Sequence, residues 1–363
     1  MMEYIKFLKL RYKDYLTDPE NYFRFLYEGY LNSFHPIKCS LPYTIQIELT
    51  SICNFSCTGC PTRGMPQKEK GFMKMETFSS LLDLIPKPIK FVRLFGLGEP
   101  FLYPNFLDVV RMVREKGAYV LFHTNASLMT TKDIERIVEY GANVNFSVDS
   151  ISSNIASPKS LLGQTIKKIK IMSDLKRKNK SSTKIGICCT VWKDNFVDVL
   201  KIVDVARELK VDSIHVQNAM HYSIKSFQNS VHHLGWKKVK TVYKEAMKRA
   251  KKYGLRYRFP SFREEKVCPF PWTDSYISFD GSVMLCPYVQ HSFTRYDFVD
   301  NGNIVFKEIP IKMPEFTLGN INKKSFEKIW NEKKYQAIRR IFLSDKKNWP
   351  EICKGCVMRC GIH

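Results

Sequence analysis

Cys53, Cys57 and Cys60 fall within Glu48-Leu-Thr-Ser-Ile-Cys-Asn-Phe-Ser-Cys-Thr-Gly-Cys-Pro61, directly after an apolar, strand-like run. The C-x3-C-x2-C spacing puts three thiolates on one short loop, enough for three corners of a four-iron cluster. The fourth iron then has no protein ligand and is free to bind a small molecule. Structural zinc is the bland alternative. It takes four protein ligands, usually in paired spacings, and no histidine lies close in sequence.

The elements around this loop follow a regular rhythm. Short β-branched or apolar runs near 43–49, 91–97, 119–124, 144–148, 184–191 and 213–217 read as strands, with helical stretches near 75–84, 104–116, 131–139, 165–179 and 196–209 between them. A strand that returns to the next through a helix makes a parallel sheet, and six such units make a partial (β/α)6 barrel. Right-handed crossovers put the helices outside and all strand C-termini on one rim, where the loops of such barrels carry their active sites. The cysteine loop, Gly98-Glu99, Thr124-Asn125 and Ser147-Asp149 all follow or end strands on that rim. The predicted organisation is a helical prefix over 1–40, the barrel over 41–260, and a small cysteine-rich domain over 261–363, where the rhythm stops. No internal repeat or low-complexity segment interrupts it.

Between about Tyr43 and Gln217 the cysteine triplet, Phe95-Gly-Leu-Gly-Glu-Pro100, Thr124-Asn125 and Asn145-Phe-Ser-Val-Asp149 occur in the order seen in the radical S-adenosylmethionine (SAM) superfamily, which the chain resembles. The resemblance implies that the open iron chelates SAM and that an electron from the cluster cleaves it to methionine and a 5′-deoxyadenosyl radical, which removes a substrate hydrogen. It also implies a flavodoxin- or ferredoxin-type electron donor. Glu99, freed by Gly98 and stiffened by Pro100, is expected to accept hydrogen bonds from the SAM ammonium, and Asn125 and Ser147 to reach the carboxylate or ribose. Lys159 stands where relatives often carry an arginine and would act as a point charge. Two departures affect adenine packing: the residue before the third cysteine is Gly59 rather than a bulky one, and the usual Gly-Gly-Glu-Pro reads Gly-Leu-Gly-Glu-Pro.

The C-terminal region holds Cys268, Cys286, and Cys353, Cys356 and Cys360 in C-x2-C-x3-C spacing, with Leu318-Gly-Asn-Ile321 and Phe326-x3-Trp330 between. It resembles the SPASM or shorter twitch extension of radical SAM enzymes, which carries auxiliary four-iron clusters. Five cysteines suffice for one such cluster and not two. The preferred ligands are Cys268, Cys286, Cys353 and Cys356, with Cys360 as the substitute for either of the last two; a zinc knuckle is the competing account. A fully ligated auxiliary cluster can accept an electron from a substrate radical, which favours two-electron oxidation. Tyr288, Asp274 and His291 are candidate bases by proximity in sequence. Of Cys188 and Cys189, strand alternation turns one into the barrel lumen and one toward the helices.

Composition sets the outer limits. With 363 residues and 44% hydrophobic content the chain can bury a large core. It lacks an export signal and any run long enough to cross a bilayer, so a cytoplasmic location with reduced thiols is expected. A net charge of +23 suits an acidic partner, although the dense clusters at 176–180 and 247–252 read better as solvated helix faces. Residues 4–16 pattern as a basic amphipathic helix suited to packing on the body of the protein or, second, to peripheral contact with an anionic membrane. The prefix is too short for a leader-peptide recognition domain. The leading functional expectation is oxidation or epimerisation of an alcohol carbon in a small, sugar- or aminocyclitol-like or phosphorylated molecule. The alternatives are peptide or protein maturation by crosslinking or side-chain oxidation, and modification of a lipid-linked substrate.

Overall fold

The computed structural model describes residues 37–57, 59–85, 89–151, 160–260, 268, 270–289, 293–295, 298–300, 303–311, 316–354 and 356. The amphipathic prefix, Lys159, His291 and Cys360 lie outside them. Strands β1 (Thr44–Ile47), β2 (Phe91–Arg93), β3 (Tyr119–Thr124), β4 (Asn143–Ser147), β5 (Ile185–Val191) and β6 (Ser213–Asn218) pair in that order, every pair parallel. Helices α1 (Met75–Ser79), α2 (Phe106–Glu115), α3 (Thr131–Tyr140), α4 (Leu161–Lys178) and α5 (Asp198–Glu208) lie between them in sequence. Alternation along β3 and β4 buries Val120, Phe122, Val144 and Phe146 under the helices and turns Tyr119, Leu121, Asn143 and Asn145 to the lumen. Local signals set several helix ends. The Thr130 hydroxyl accepts from the Asp133 N–H while Asp133 reaches back to the Thr130 N–H, and Gly141, at φ 65°, closes α3.

The rhythm runs one unit further than the sequence indicates. After β6 come α6 (Ile224–Gln228), the long α7 (Trp236–Lys252) and a seventh parallel strand, β7 (Arg256–Arg258), beside β6. Past the 261–267 segment the chain enters α8 (Phe270–Thr273) and then β8 (Asp274–Ile277), which pairs parallel with β1 on the opposite edge. Strands β9 (Ser282–Met284) and β14 (Thr317–Asn320) continue the sheet antiparallel, so it has ten strands ordered β14-β9-β8-β1-β2-β3-β4-β5-β6-β7. Two small hairpins, β10 (Phe293–Arg295) with β13 (Ile309–Ile311) and β11 (Phe298–Asp300) with β12 (Asn303–Val305), lie between β9 and β14 in sequence. Helices α9 (Phe326–Trp330), α10 (Lys333–Leu343) and α11 (Glu351–Lys354) end the described chain.

The Phe326-x3-Trp330 spacing is explained by one helix face. Both side chains are buried, and Arg339 lies over the Trp330 ring at 4.6 Å. Asn331 clasps both backbone groups of Cys39, accepting from its N–H at 3.1 Å and donating to its carbonyl at 2.9 Å, while Trp330 Nε1 donates to the Ser40 carbonyl at 2.8 Å. The end of the prefix is thus tied to the C-terminal helices. Burial lifts the Cys39 thiol to about 11, which keeps it protonated and inert.

Candidate active site at the C-terminal rim

The loop after β1 is held by its own backbone and by its neighbours. The Thr50 hydroxyl donates to the Gly71 carbonyl at 2.9 Å and accepts from the Ile52 N–H at 3.0 Å, and the Cys60 N–H closes a turn onto the Cys57 carbonyl at 3.1 Å. Cys53 and Cys60 are half-buried and Cys57 is exposed, all as free thiols. Burial raises the pKa of Cys53 and Cys57, and the charges of the neighbouring cysteines add to the rise, so the three sulfurs lie within electrostatic reach of one another. They are not drawn in to ligand distance: among the described residues no three His, Cys, Asp or Glu side chains converge closely enough for a metal ion. Three loop thiols at an open mouth are a donor set that suits an iron–sulfur cluster and falls short of the four ligands of structural zinc.

The loop after β2 packs directly on this one. A Cβ at Gly98 would lie 2.2 Å from the Thr50 carbonyl oxygen and 2.7 Å from that of Ile52, so only glycine permits the approach, and the Glu99 N–H donates to the Ile52 carbonyl at 2.9 Å. Glu99 itself is 3% exposed. Its Oε1 accepts from the Thr124 hydroxyl at 2.6 Å and its Oε2 from the Asn125 N–H at 2.8 Å. Burial raises its pKa, and those hydrogen bonds oppose the rise. Asn125 Nδ2 donates to Asn54 Oδ1 at 3.1 Å, joining the β3 end to the cysteine loop. Glu99 and Asn125 are therefore gathered around the cysteine loop. Ser147 is exposed at the end of β4, where its hydroxyl makes no hydrogen bond among the described residues.

A cavity of about 550 Å³ opens beside the loop, with Cys57, Gly59 and Cys60 in one wall. Its other walls include Asp149, Thr190, Trp192, Gln217, Lys225 and Tyr288. Asp149 opens onto the cavity, yet the surrounding walls strip it of bulk water and raise its carboxyl to about 6, against the Thr190 N–H that donates to it at 2.8 Å. Tyr288 follows Cys286 by two residues, which brings the cysteine-rich segment to the same cavity as the first cysteine loop. Of the other candidate bases, Asp274 is buried and paired to Arg93 at 2.7 Å. Cys189 packs in the core, while Cys188 faces the lumen in register with Ser147 and His215; burial, then Asp149, raises it to about 12.

The residue that sequence reasoning missed is Trp192. A Cβ at Gly59 would lie 2.0 Å from Trp192 Cζ2, so the indole occupies the space that a side chain at 59 would need. The signal was available in part, since an absent ring before the third cysteine asks for one from elsewhere on the rim, and Trp192 immediately follows β5.

At the second cysteine set, Cys268, Cys286 and Cys356 are close enough to interact: burial raises the Cys286 thiol far above its ordinary value, and Cys268 and Cys356 raise it further. Cys353 lies in α11, its N–H donating to the Pro350 carbonyl at 2.7 Å.

A family model described as the radical SAM superfamily matches residues 47–190, and one described as the SPASM iron–sulfur cluster-binding domain matches 268–357. The chain is a radical SAM protein with a SPASM domain. With these domains go a four-iron cluster, SAM and auxiliary iron–sulfur clusters. A tungsten-containing aldehyde ferredoxin oxidoreductase cofactor-modifying protein of Pyrococcus furiosus is 27% identical over 325 residues, 87% of each chain. An AdoMet-dependent heme synthase of Methanosarcina barkeri is 23% identical over 175 residues, 48% of this chain and 50% of its own. The fold is shared with Streptococcus suis SuiB bound to SAM, at a TM-score of 0.65 and 15% identity over 98% of this chain and 81% of SuiB. It is also shared with anSMEcpe bound to AdoMet, at 0.57 and 17% over 88% and 89%. No helix among the described residues is long and apolar enough to cross a membrane.

Proposed function

We propose that this radical SAM enzyme oxidises a small, polar, oxygen-rich molecule, such as a cofactor precursor, by removing hydrogen from an alcohol-type carbon. The observation that carries the reading is the composition of the rim cavity. Amides (Gln217, Asn218, Asn229), hydroxyls (Thr190, Tyr222, Ser226) and a single lysine, Lys225, suit a compact hydroxylated substrate, and Tyr288 links that cavity to the Cys286 segment. The cofactor-modifying relative, similar along nearly the whole chain, points the same way.

In this reading Cys53, Cys57 and Cys60 hold the first cluster, and Cys268, Cys286, Cys353 and Cys356, or Cys360 in place of one of the last two, hold an auxiliary one. The limits 1–40, 41–260 and 261–363 belong to the same proposal. SAM on the open iron supplies a 5′-deoxyadenosyl radical; the protein supplies orientation and exclusion of water. Glu99 holds the β2 and β3 loops in one arrangement and turns a buried carboxylate toward the ammonium, Trp192 offers a flat face for adenine, and Gln217, Asn218 and Lys225 orient the substrate. Asp149 and Tyr288 are the polar groups placed to take a proton from an oxidised carbon's hydroxyl.

The test follows the hydrogen. Cells grown in D2O are extracted and the extract is split into small molecules, peptides and lipids. Each fraction is incubated anaerobically with reconstituted enzyme, SAM and dithionite, and the 5′-deoxyadenosine is analysed by mass spectrometry. Deuterium is expected from the small-molecule fraction; deuterium arriving only from the peptide or lipid fraction overturns the substrate class.

A further inference from the structure

The barrel has a second opening, at the rim opposite the cysteine loop. A cavity of about 300 Å³ enters the lumen among the first residues of the strands, Phe91, Tyr119, Asn143, Ser213 and Arg256, with Asn145, His215 and Arg258 further in. Among the described residues its walls hold four permanent or near-permanent cations, Arg114, Lys184, Arg256 and Arg258, and no carboxylate. A concave wall lined by one sign of charge focuses the field into its interior.

Three of these cations, Arg114, Lys184 and Arg256, have no carboxylate partner among the described residues. Arg114 is spent on carbonyl groups, donating to Tyr140 at 2.9 Å and to Ala118 at 2.8 Å, so it is fixed in place without a counter-charge from them. Of the acids next in sequence to wall residues, Asp212 is taken by Lys176 at 2.6 Å and by the Ile185 N–H at 2.7 Å, and Glu115 by Arg111 at 2.8 Å. Deeper in, burial and the adjacent Arg258 hold His215 neutral, so it adds a hydrogen-bonding group in place of a further cation. Polar donors complete the wall. The side-chain Oδ1 of Asn143 accepts from the Lys184 backbone N–H at 2.8 Å, which fixes that amide with its Nδ2 free among the described residues. A Cβ at Gly186 would lie 2.1 Å from Asn145 Oδ1 and 2.8 Å from Ser213 Oγ, so glycine at this point lets the side chains of β4 and β6 reach over β5. Phe91 and Tyr119, stacked at 5.0 Å, supply an aromatic side.

We propose that this cavity binds a phosphate group, free or carried on a small metabolite, at a site separate from the radical centre. Phosphate matches the wall better than a single carboxylate does, because it carries more charge and can accept from arginine forks, a lysine and amides at once.

The experiment is calorimetry on the reconstituted full chain, anaerobic, at low salt and with SAM saturating, using inorganic phosphate, AMP and adenosine as probes. Phosphate or AMP is expected to bind once per chain while adenosine does not bind, and Lys184→Gln with Arg256→Gln should weaken binding by about tenfold or more. AMP binding well above phosphate identifies a phosphorylated metabolite as the ligand type; equal affinities identify phosphate itself. A second variant, Ser182→Glu, adds a carboxylate at the exposed mouth without deleting any cation, and should weaken binding in the same direction. Absence of binding by both anions, or affinity unchanged in both variants, overturns the proposal.

Discussion

Replacing Trp192 by Ala removes the one large ring that stands where Gly59 has no side chain. The indole is within 2.1 Å of an ideal Gly59 Cβ at two of its atoms and lines the cavity with Cys57 and Cys60, and the backbone at this residue is fixed by the Trp192 main-chain N–H, which donates to Asn195 Oδ1 at 2.6 Å. Stacking of a base on an aromatic side chain is worth about 1–3 kcal/mol by alanine substitution, so Trp192→Ala should raise the dissociation constant of SAM by about 5- to 160-fold. Gly59→Phe alone should also weaken binding, because its Cβ collides with the indole. The double variant Gly59→Phe, Trp192→Ala moves a ring from the strand end to the loop and should recover most of the affinity. The assay is calorimetric titration of SAM, and of S-adenosylhomocysteine, into reconstituted protein, with iron content measured in every variant. A Trp192→Ala dissociation constant within about twofold of wild type, or a double variant no better than Trp192→Ala, refutes the stacking role.

Three further outcomes are expected. Replacing Cys268 and Cys286 together by Ala should lower bound iron from about eight to about four per chain, as loss of one four-iron cubane requires; unchanged iron would remove the auxiliary cluster and with it the oxidation reading. Gly98→Ala places a methyl 2.2 Å from the Thr50 carbonyl oxygen, and should cost about 1–3 kcal/mol in urea unfolding by overpacking while loosening iron retention; wild-type stability would show that the two loops separate easily. Burial, helped by Arg93, lowers the His123 pKa from 6.5 to about 3. The unfolded chain therefore takes up a proton that the folded chain refuses, so this stability is complete above pH 6.5 and is lost as pH falls toward 3. Between pH 6.5 and 4.5 the loss from His123 reaches about 3 kcal/mol at most, and His123→Phe, whose ring can stack on Phe95, should lose correspondingly less than wild type over that interval; parallel unfolding curves for the two proteins would contradict it.

The first six strands were legible because each is a short apolar run between turn residues, and the radical SAM motifs because they sit in loops directly after such runs. Helix limits moved for local reasons. The Ser160 hydroxyl accepts from the Gly163 N–H and starts α4 at Leu161, four residues before the expected 165, while the stretch read as 75–84 breaks after Ser79 and resumes as a 3-10 turn over Leu82–Leu84. The seventh strand escaped because Arg256-Tyr-Arg258 carries arginines where a core strand would carry valines, and only the barrel shows that those positions face a polar lumen.

The pairing of β8 with β1 could not be read locally, since its partners Thr44 and Asp274 are 230 residues apart. That pairing decides the fate of Asp274: a carboxylate beside a cysteine-rich segment reads as a base until the sheet brings Arg93 across to it. The same contrast separates Glu99 from Trp192. Glu99 was recognisable because its anchors, Gly98 and the end of β3, lie in contiguous motifs, whereas Trp192 acquires meaning only through an absence 133 residues earlier, at Gly59. If the double exchange restores SAM binding, the departure from the usual cysteine motif is a relocation of one ring between two neighbouring loops, and the adenine surface is a property of the rim as a whole.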